Sequence, residues 1–400
     1  MSRASICGAS VSPADRMRDP RNAATGLLVL LPFALGAALA PWLLGWIAVA
    51  PNRLLSARIA PLGATGPVAI AWTAYHAALI ALPLAAWRPA RAWMAEAVGV
   101  LAALALLAVV GLGASAAVPP GGLARAAPAA GAWVALLLLF LAISTGAALR
   151  GATPALPLLA VLGGAVLLGV SGLLDPLSIM REALGRGEEL RQALAEHVIL
   201  SFSALLLALA LSIPLSALSI SRHGLEAGFL SVASGLQVIP AIALFGLLIV
   251  PLAALGAAFP ALREMGLGGV GPAPAVIGIT AYLLLPLARG LLAGFRVAPP
   301  ALVEAALGQG LSPRQILWQL RVPLGAGVVL GALRLAAVQA VGLATLAALV
   351  GGGGLGAIVL QGVGQLAADL ILLGVLPVLA LSLAVDAGIA LLSRRLAPEE

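Results

Sequence analysis

The chain has 400 residues, 62% of them hydrophobic and 9% charged, with a mean hydropathy of +1.13. These values exclude a soluble globular protein and describe an integral membrane protein. All 22 basic residues are arginine and lie scattered over short loops, so the formal charge of +7 excludes a nucleic-acid-binding patch and serves membrane orientation.

Met1 to Thr25 is polar and arginine-bearing, and it holds the lone Cys7, which allows neither an internal disulfide nor a cysteine metal site. The apolar run after it is as long as a full span, longer than a signal-peptide core, which predicts that it is retained. Windows of about 20 apolar residues fall at Gly26 to Ala50, Pro67 to Trp87, Met94 to Val118, Gly131 to Ala148 and Pro154 to Leu174. Further windows fall at Val198 to Ile220, Leu230 to Leu255, Pro274 to Gly290, Ala326 to Val350 and Leu366 to Ser393. The expected fold is all-α and polytopic, with about ten spans.

A cytoplasmic N-terminus bearing Arg3, Arg16, Arg18 and Arg21 places Arg88, Arg91, Arg150, Arg222, the Glu304 segment and the C-terminal Arg394 and Arg395 on the same side. Arg53, Arg58, Arg125 and Arg263 are the exceptions on the opposite side. The window at Gly131 is the weakest, and its loss would invert everything before it. Between Asp175 and His197, Arg181, Arg186 and Arg191 balance Asp175, Glu182, Glu188, Glu189 and Glu196, which predicts an amphipathic helix lying outside the membrane. A composition shift near Asp175 divides a membrane extension, residues 1–175, from a second half, 176–400, with longer and more patterned loops. The halves show no convincing internal repeat, which counts against an inverted-repeat carrier.

Ala301 to Gly325 is the polar, strongly punctuated segment of that second half. It predicts two short helices joined by a tight turn. Pro299 and Pro300 suit a first helical turn, Glu304 lies near the positive end of the dipole, and Gly308 and Gly310 can supply a left-handed terminus. Ser312 is a good N-cap, with Pro313 at the first helical position and Gln315 completing a capping box. Pro323 is expected to stop the second helix. Ile316, Leu317 and Leu320 share a face edged by Arg314 and Arg321, a stripe suited either to a groove on another protein or to the lipid headgroups.

Catalytic chemistry is sparse. A P-loop needs a lysine, so the glycine run Gly351 to Gly354 is not a nucleotide site. His76, His197 and His223 fall in different loops or spans and form no local zinc pair. No nucleophile elbow or carboxylate pair points to an enzyme. Asp369, Asp386 and Glu96 lie near span ends, where snorkelling to the interface is expected. Arg334 is deeper, and with Gln339 and Thr345 it forms a polar line that faces either a path or a neighbouring helix.

Glu304, Ala305, Ala306, Gly310, Leu320 and Pro323 reproduce the spacing E-A-A-x3-G-x9-I-x-L-P of the cytoplasmic loop of permease subunits in binding-protein-dependent ABC importers. Leu320 stands for the usual Ile, and Val322 for the usual Leu. The segments from Gly235 to Leu244 and from Gly271 to Val276, Tyr282 to Pro286, and Gly342 through Gly356 resemble the glycine betaine, carnitine and choline permeases of osmoprotectant importers. The likeness runs from about Leu190 to Leu392, and the extra N-terminal spans resemble the long, Yeh-type members.

The resemblance implies a core of the methionine-permease-like type and a coupling loop at 299–325. In that loop Glu304, Ala305, Ala306 and Gly310 form the turn, and Ile316 to Pro323 form the docking helix. It implies a translocation path near Gln237, Pro240, Tyr282, Arg334, Gln339 and Thr345, and a glycine-rich outer mouth at Gly351 to Gly356. The expected partners are a cytoplasmic ATP-binding subunit, a periplasmic or lipid-anchored substrate-binding protein, membrane lipid, and a second permease, either another copy or a shorter sister subunit. The chain itself is expected to carry no cofactor, ATP being used by the partner. Only 4% of the residues are aromatic, so an aromatic cage for a quaternary amine is expected in the binding protein. The location implied is the bacterial inner membrane, with both termini cytoplasmic. Two other classes stay open, an ion-coupled secondary transporter of a small solute and a membrane-embedded enzyme or regulator.

Overall fold

The computed structural model describes residues 20–52, 55–61, 66–86, 92–118, 122–220, 222–264 and 266–396. Cys7 and the orientation residues Arg3, Arg16, Arg18, Arg53, Arg88 and Arg91 lie outside them. Among the described residues, nine helices are long and apolar enough to cross a membrane. The chain divides into two compact units, Met1–Arg181 and Glu182–Glu400.

The first unit contains α1 (Pro20–Leu44), α2 (Gly66–Ala85), α3 (Ala92–Ala117), α4 (Ala130–Leu149) and α5 (Ala155–Val170). The Gly131 window, expected as a span and as the weakest of them, is a full helix of 20 residues, and the short one is the fifth window instead. The 16 residues of α5 rise about 24 Å, less than a hydrocarbon layer of roughly 30 Å. Gly172, at φ +81, turns the chain just beyond its end.

A small antiparallel sheet, absent from the all-α expectation, is built from β1 (Ile47–Ala50), β2 (Arg58–Ile59) and β3 (Arg125–Pro128) in the order β2-β1-β3. Its register pairs Ala48 with Ile59 and with Ala127. The Trp46 indole N–H donates to the Ala60 carbonyl at 3.1 Å and pins the sheet to the end of α1. Arg181 donates to the carbonyls of Gly122 and Ala124 at 3.0 and 3.1 Å, so it fastens a loop of this unit.

Large side chains and alanines share the unit's core. Trp72, Tyr75, Leu82, Leu106 and Leu139 are buried, and the Tyr75 hydroxyl donates to the Ala37 carbonyl at 2.6 Å. Trp42, Trp46, Trp72, Tyr75 and His76 form a ring cluster with centroids 5.2 to 6.5 Å apart. Glu96 does not snorkel. It is 4% exposed and accepts from Arg150 Nε and Nη2 at 2.5 and 2.7 Å. Hydrogen bonding to this carboxylate holds the Arg150 guanidinium above its ordinary pKa, against the opposing effect of burial.

The short helix α6 (Ser178–Gly185) leads into the second unit, which begins with α7 (Gly187–Ser219). The acidic stretch expected to lie outside as a separate helix is instead divided between α6 and the first turns of α7. Glu188 and Glu189 stabilise the start of α7 against the helix dipole, and its 33 residues outrun the bilayer by several turns. The window at Leu230 to Leu255 is broken into α8 (His223–Val238) and α9 (Ala241–Ala258), because Ile239 precedes Pro240 and takes an extended backbone. The short α10 (Pro260–Glu264) leads to α11 (Pro272–Phe295).

After α12 (Pro300–Gly308) comes a continuous helical stretch, Pro313–Val350. It comprises α13 (Pro313–Ile316), a π-helical turn (Leu317–Arg321), α14 (Val322–Ala344) and a 3-10 segment (Thr345–Val350). Pro323 therefore does not stop the helix. It sits in the first turn of α14, directly after the π turn, where the widened backbone accommodates the missing N–H. Then α15 (Leu355–Gly364) and α16 (Ala368–Leu396) complete the unit.

Small residues dominate this second core. Ala204, Ala208, Ala275, Ala336, Ala340 and Ala344 are buried with Leu200, Phe245, Ile279 and Leu283. Helices α11 and α14 approach so closely that a side chain at Gly325 would collide with the Gly294 backbone.

Candidate functional site

The polar segment forms a capped, exposed turn. Pro299 is the extended N-cap residue of α12 with Pro300 at the start of the helix, and Gly310 reverses the chain at φ +85. Both halves of the capping box are made. Ser312 Oγ accepts from the Gln315 N–H at 3.3 Å, and Gln315 Oε1 accepts from the Ser312 N–H at 2.8 Å. Glu304, Ala305 and Gly310 are exposed, and Ala306 is half-buried.

The apolar stripe does not face outward. Ile316 is 3% exposed, and Leu317 and Leu320 are half-buried, because the helix runs straight on into the membrane and this face turns toward the protein. A groove of about 360 Å³ beneath the turn is lined by Leu218, Val303, Ile316 and Leu317. Outward apolar surface comes from Leu302, Leu307 and Trp318. Arg321 donates to the Phe295 carbonyl at 2.7 Å and ties the π turn to the end of α11.

The six predicted path residues fall into separate places. Gln237, Pro240 and Tyr282 meet at the break between α8 and α9: Gln237 Nε2 donates to the Tyr282 carbonyl at 2.8 Å, and the Tyr282 hydroxyl donates to the Ile239 carbonyl. These bonds satisfy backbone and side-chain groups where the helix is interrupted, as non-helical backbone at membrane depth requires. Arg334 instead pairs with Asp386 on α16, so that carboxylate is not snorkelling either. Gln339 is half-buried on α14, and Thr345 opens the 3-10 segment.

The glycine run and the helix ends around it are held by groups that the sequence did not single out together. Glu196 Oε2 accepts from the Gly354 N–H at 2.9 Å, and Gln192 donates to the other oxygen of Glu196 at 3.0 Å. His197, fully buried, donates from Nε2 to the Val341 carbonyl at 3.0 Å. Arg186 donates to Gln361 at 2.8 Å, and the Gly271 N–H donates to the Val350 carbonyl at 2.8 Å. No local signal marks these contacts, since Glu196 and Gly354 are 158 residues apart.

Comparison with known proteins accounts for both units. The model of the binding-protein-dependent transport system inner membrane component matches residues 215–398, and that of the N-terminal domain of the ABC transporter permease YehY matches residues 25–180. The chain is 33% identical over 205 residues to the carnitine transport permease protein OpuCB of Listeria monocytogenes, covering 51% of this chain and 86% of the relative. It is 32% identical over 191 residues to the osmoprotectant import permease protein OsmW of Salmonella typhimurium, covering 48% and 84%. The choline transport system permease protein OpuBB of Bacillus subtilis is 29% identical over 213 residues, covering 53% and 90%. Among solved structures, an inward-facing MetNI methionine ABC transporter matches with a TM-score of 0.44 and 19% identity, over 53% of this chain and 98% of that one. Such permeases are transport subunits that work with separate ATP-binding and substrate-binding subunits. With membrane helices in both units, the chain belongs to the family of binding-protein-dependent transport system inner membrane components, as a multi-pass ABC importer permease.

Proposed function

We propose that this permease carries glycine betaine, carnitine, choline or a related quaternary-amine solute into the cytoplasm. The printed functions of the relatives support the solute class. The observation that carries the mechanism is the exposed, doubly capped turn from Pro300 to Arg321. Glu304, Ala305, Ala306 and Gly310 form the docking turn for a cytoplasmic ATP-binding subunit, while Ile316, Leu320 and Pro323 anchor it to α14. With the turn cytoplasmic the C-terminus is cytoplasmic, and the N-terminus shares that side with the short α5 counted as a tenth crossing of a locally thinned bilayer.

ATP closes the partner's dimer and displaces the turn, and the Pro313–Val350 helix carries that motion into the membrane. A second permease, another copy or a shorter sister chain, completes the pore. A substrate-binding protein delivers the solute from outside, and the tied glycine run at Gly351 to Gly356 lies at the outer mouth. Gln237, Pro240, Tyr282, Gln339 and Thr345, with Arg334, contribute to the path. Residues 176–400 form the transport core and residues 1–175 an added membrane unit. The chain needs no cofactor of its own, ATP chemistry being the partner's.

The test is Gly310→Val, purified from the native host beside the unaltered chain, with the copurifying proteins identified. Valine at φ +85 costs about 1–2 kcal/mol without meeting any neighbouring atom, so the turn distorts while the core does not. The expected result is normal yield of the permease with the ATP-binding subunit lost and uptake reduced. If the variant keeps its ATP-binding subunit and ATP-driven uptake, the coupling assignment is wrong.

A further inference from the structure

The pair between Arg334 and Asp386 lies deep in the membrane. Arg334 is about 18 Å along α14 from Val322, and Asp386 is about 15 Å from the Leu396 end of α16, so both stand near the centre of a hydrocarbon layer roughly 30 Å thick. Arg334 Nε and Nη2 both donate to the carboxylate, the second at 2.6 Å, and the opposite edge of the guanidinium takes no part in the pair.

The pair is not sealed. The side chains of Arg334 and Asp386 keep 32% and 24% of their surface accessible, and Gly331 and Leu335 beside Arg334 are exposed. Ions at this depth are unfavourable against lipid and are kept for a bundle interior or a water-filled cavity. Small residues and neutral amides can fasten membrane helices without the desolvation cost. Where a charged pair does fasten them, as Arg150 and Glu96 do, the carboxylate is buried at 4% exposure, whereas the Asp386 side chain stays accessible. What a charged pair adds is a positive and a negative group side by side. That arrangement complements a zwitterion whose carboxylate and quaternary ammonium are a few bonds apart.

We propose that Arg334 and Asp386 read the solute during translocation: a zwitterion enters between them, its carboxylate accepting from the guanidinium and its ammonium facing the Asp386 carboxylate. When no solute is present the two residues satisfy each other, which is the arrangement seen here. After the solute leaves, the pair closes again. No charge is left bare at either stage. This inference rests on the importer reading above.

The experiment uses the whole importer, with its ATP-binding and substrate-binding subunits, in proteoliposomes. Uptake of radiolabelled glycine betaine, a zwitterion, is measured beside that of choline, which lacks a carboxylate. The first variant is the neutral amide pair Arg334→Gln with Asp386→Asn, which a membrane tolerates more easily than the ions. The expected result is unchanged complex yield and a betaine-to-choline uptake ratio lowered by about tenfold, the loss of one charge-assisted hydrogen bond to the solute. The second variant is the swap Arg334→Asp with Asp386→Arg, which keeps an ion pair but reverses its direction, and the same loss is expected. An unchanged ratio in whichever variant assembles, or an equal loss of both solutes, assigns the pair a structural role and overturns the proposal. Absence of ATP-driven uptake of any quaternary amine by the unaltered importer is a different result, and it defeats the importer reading itself.

Discussion

The two units of this chain both pack apolar helices through buried alanines and close glycine approaches, and they differ in what each adds to that packing. The N-terminal unit adds bulk: interlocked rings around Trp72, a buried Glu96–Arg150 pair, and a sheet pinned by Trp46. The C-terminal unit adds no ring cluster or sheet to its small-residue contacts among the described residues, and its helices break at Pro240 and change pitch at the π turn and at the 3-10 segment. Long interlocked side chains resist sliding, whereas small-residue surfaces let helices shear past one another with little repacking. The ring cluster and the sheet predict a stiffer first unit, and the break at Pro240 with the two changes of pitch predicts that motion concentrates in the second.

The largest test of that contrast is Trp72→Ala. Removing a buried ring from the cluster should cost about 3–5 kcal/mol and lower the melting temperature of the purified chain in detergent. If melting stays unchanged while uptake disappears, the cluster belongs to the moving parts. Next in size is Arg150→Ala, which leaves the Glu96 carboxylate buried without its cation. A cost of about 2–3 kcal/mol is expected after allowing for the half-exposed arginine, and the added change Glu96→Gln should restore most of it. Failure of that second change to restore stability would show that packing, rather than charge, is at stake. The smallest effect is in the C-terminal unit. Ser312→Ala removes the cap from α13 at a cost of about 1 kcal/mol confined to the turn, so melting should not move. Trypsin should instead cleave after the exposed Arg314 about fivefold faster, and an equal rate would mean that the turn is held by something other than its cap.

The spans and the capped turn could be read from the sequence because each is written in neighbouring residues, an apolar run or a Ser-Pro-x-Gln string. What could not be read joins residues far apart. Glu96 and Asp386 look like interfacial carboxylates until their partners 54 and 52 positions away are known. The strand Ile47–Ala50 is so apolar that it is read as the end of a span, and only its pairing with Arg125–Pro128 makes it a sheet. Pro323 reads as a stop signal, because the π turn that absorbs it leaves no mark in composition. Of the candidate path residues, Gln237 and Tyr282 are proposed through family likeness, while Glu196, which holds the glycine run, and His197, which bonds the Val341 carbonyl, carry no local signature at all.

The unbroken run from Pro313 to Val350 has a mechanical consequence. In the mechanism proposed above, this rod of some 38 residues, about 57 Å long, is a lever whose fulcrum is the close Gly294–Gly325 contact near its inner end. The short arm below the fulcrum carries the turn and the long arm reaches the glycine run, so a displacement at Ser312 is about doubled at Val350. The π turn sits just below the fulcrum, at the point of greatest bending moment. Its stiffness sets how much of each stroke is delivered and how much is lost as flexure.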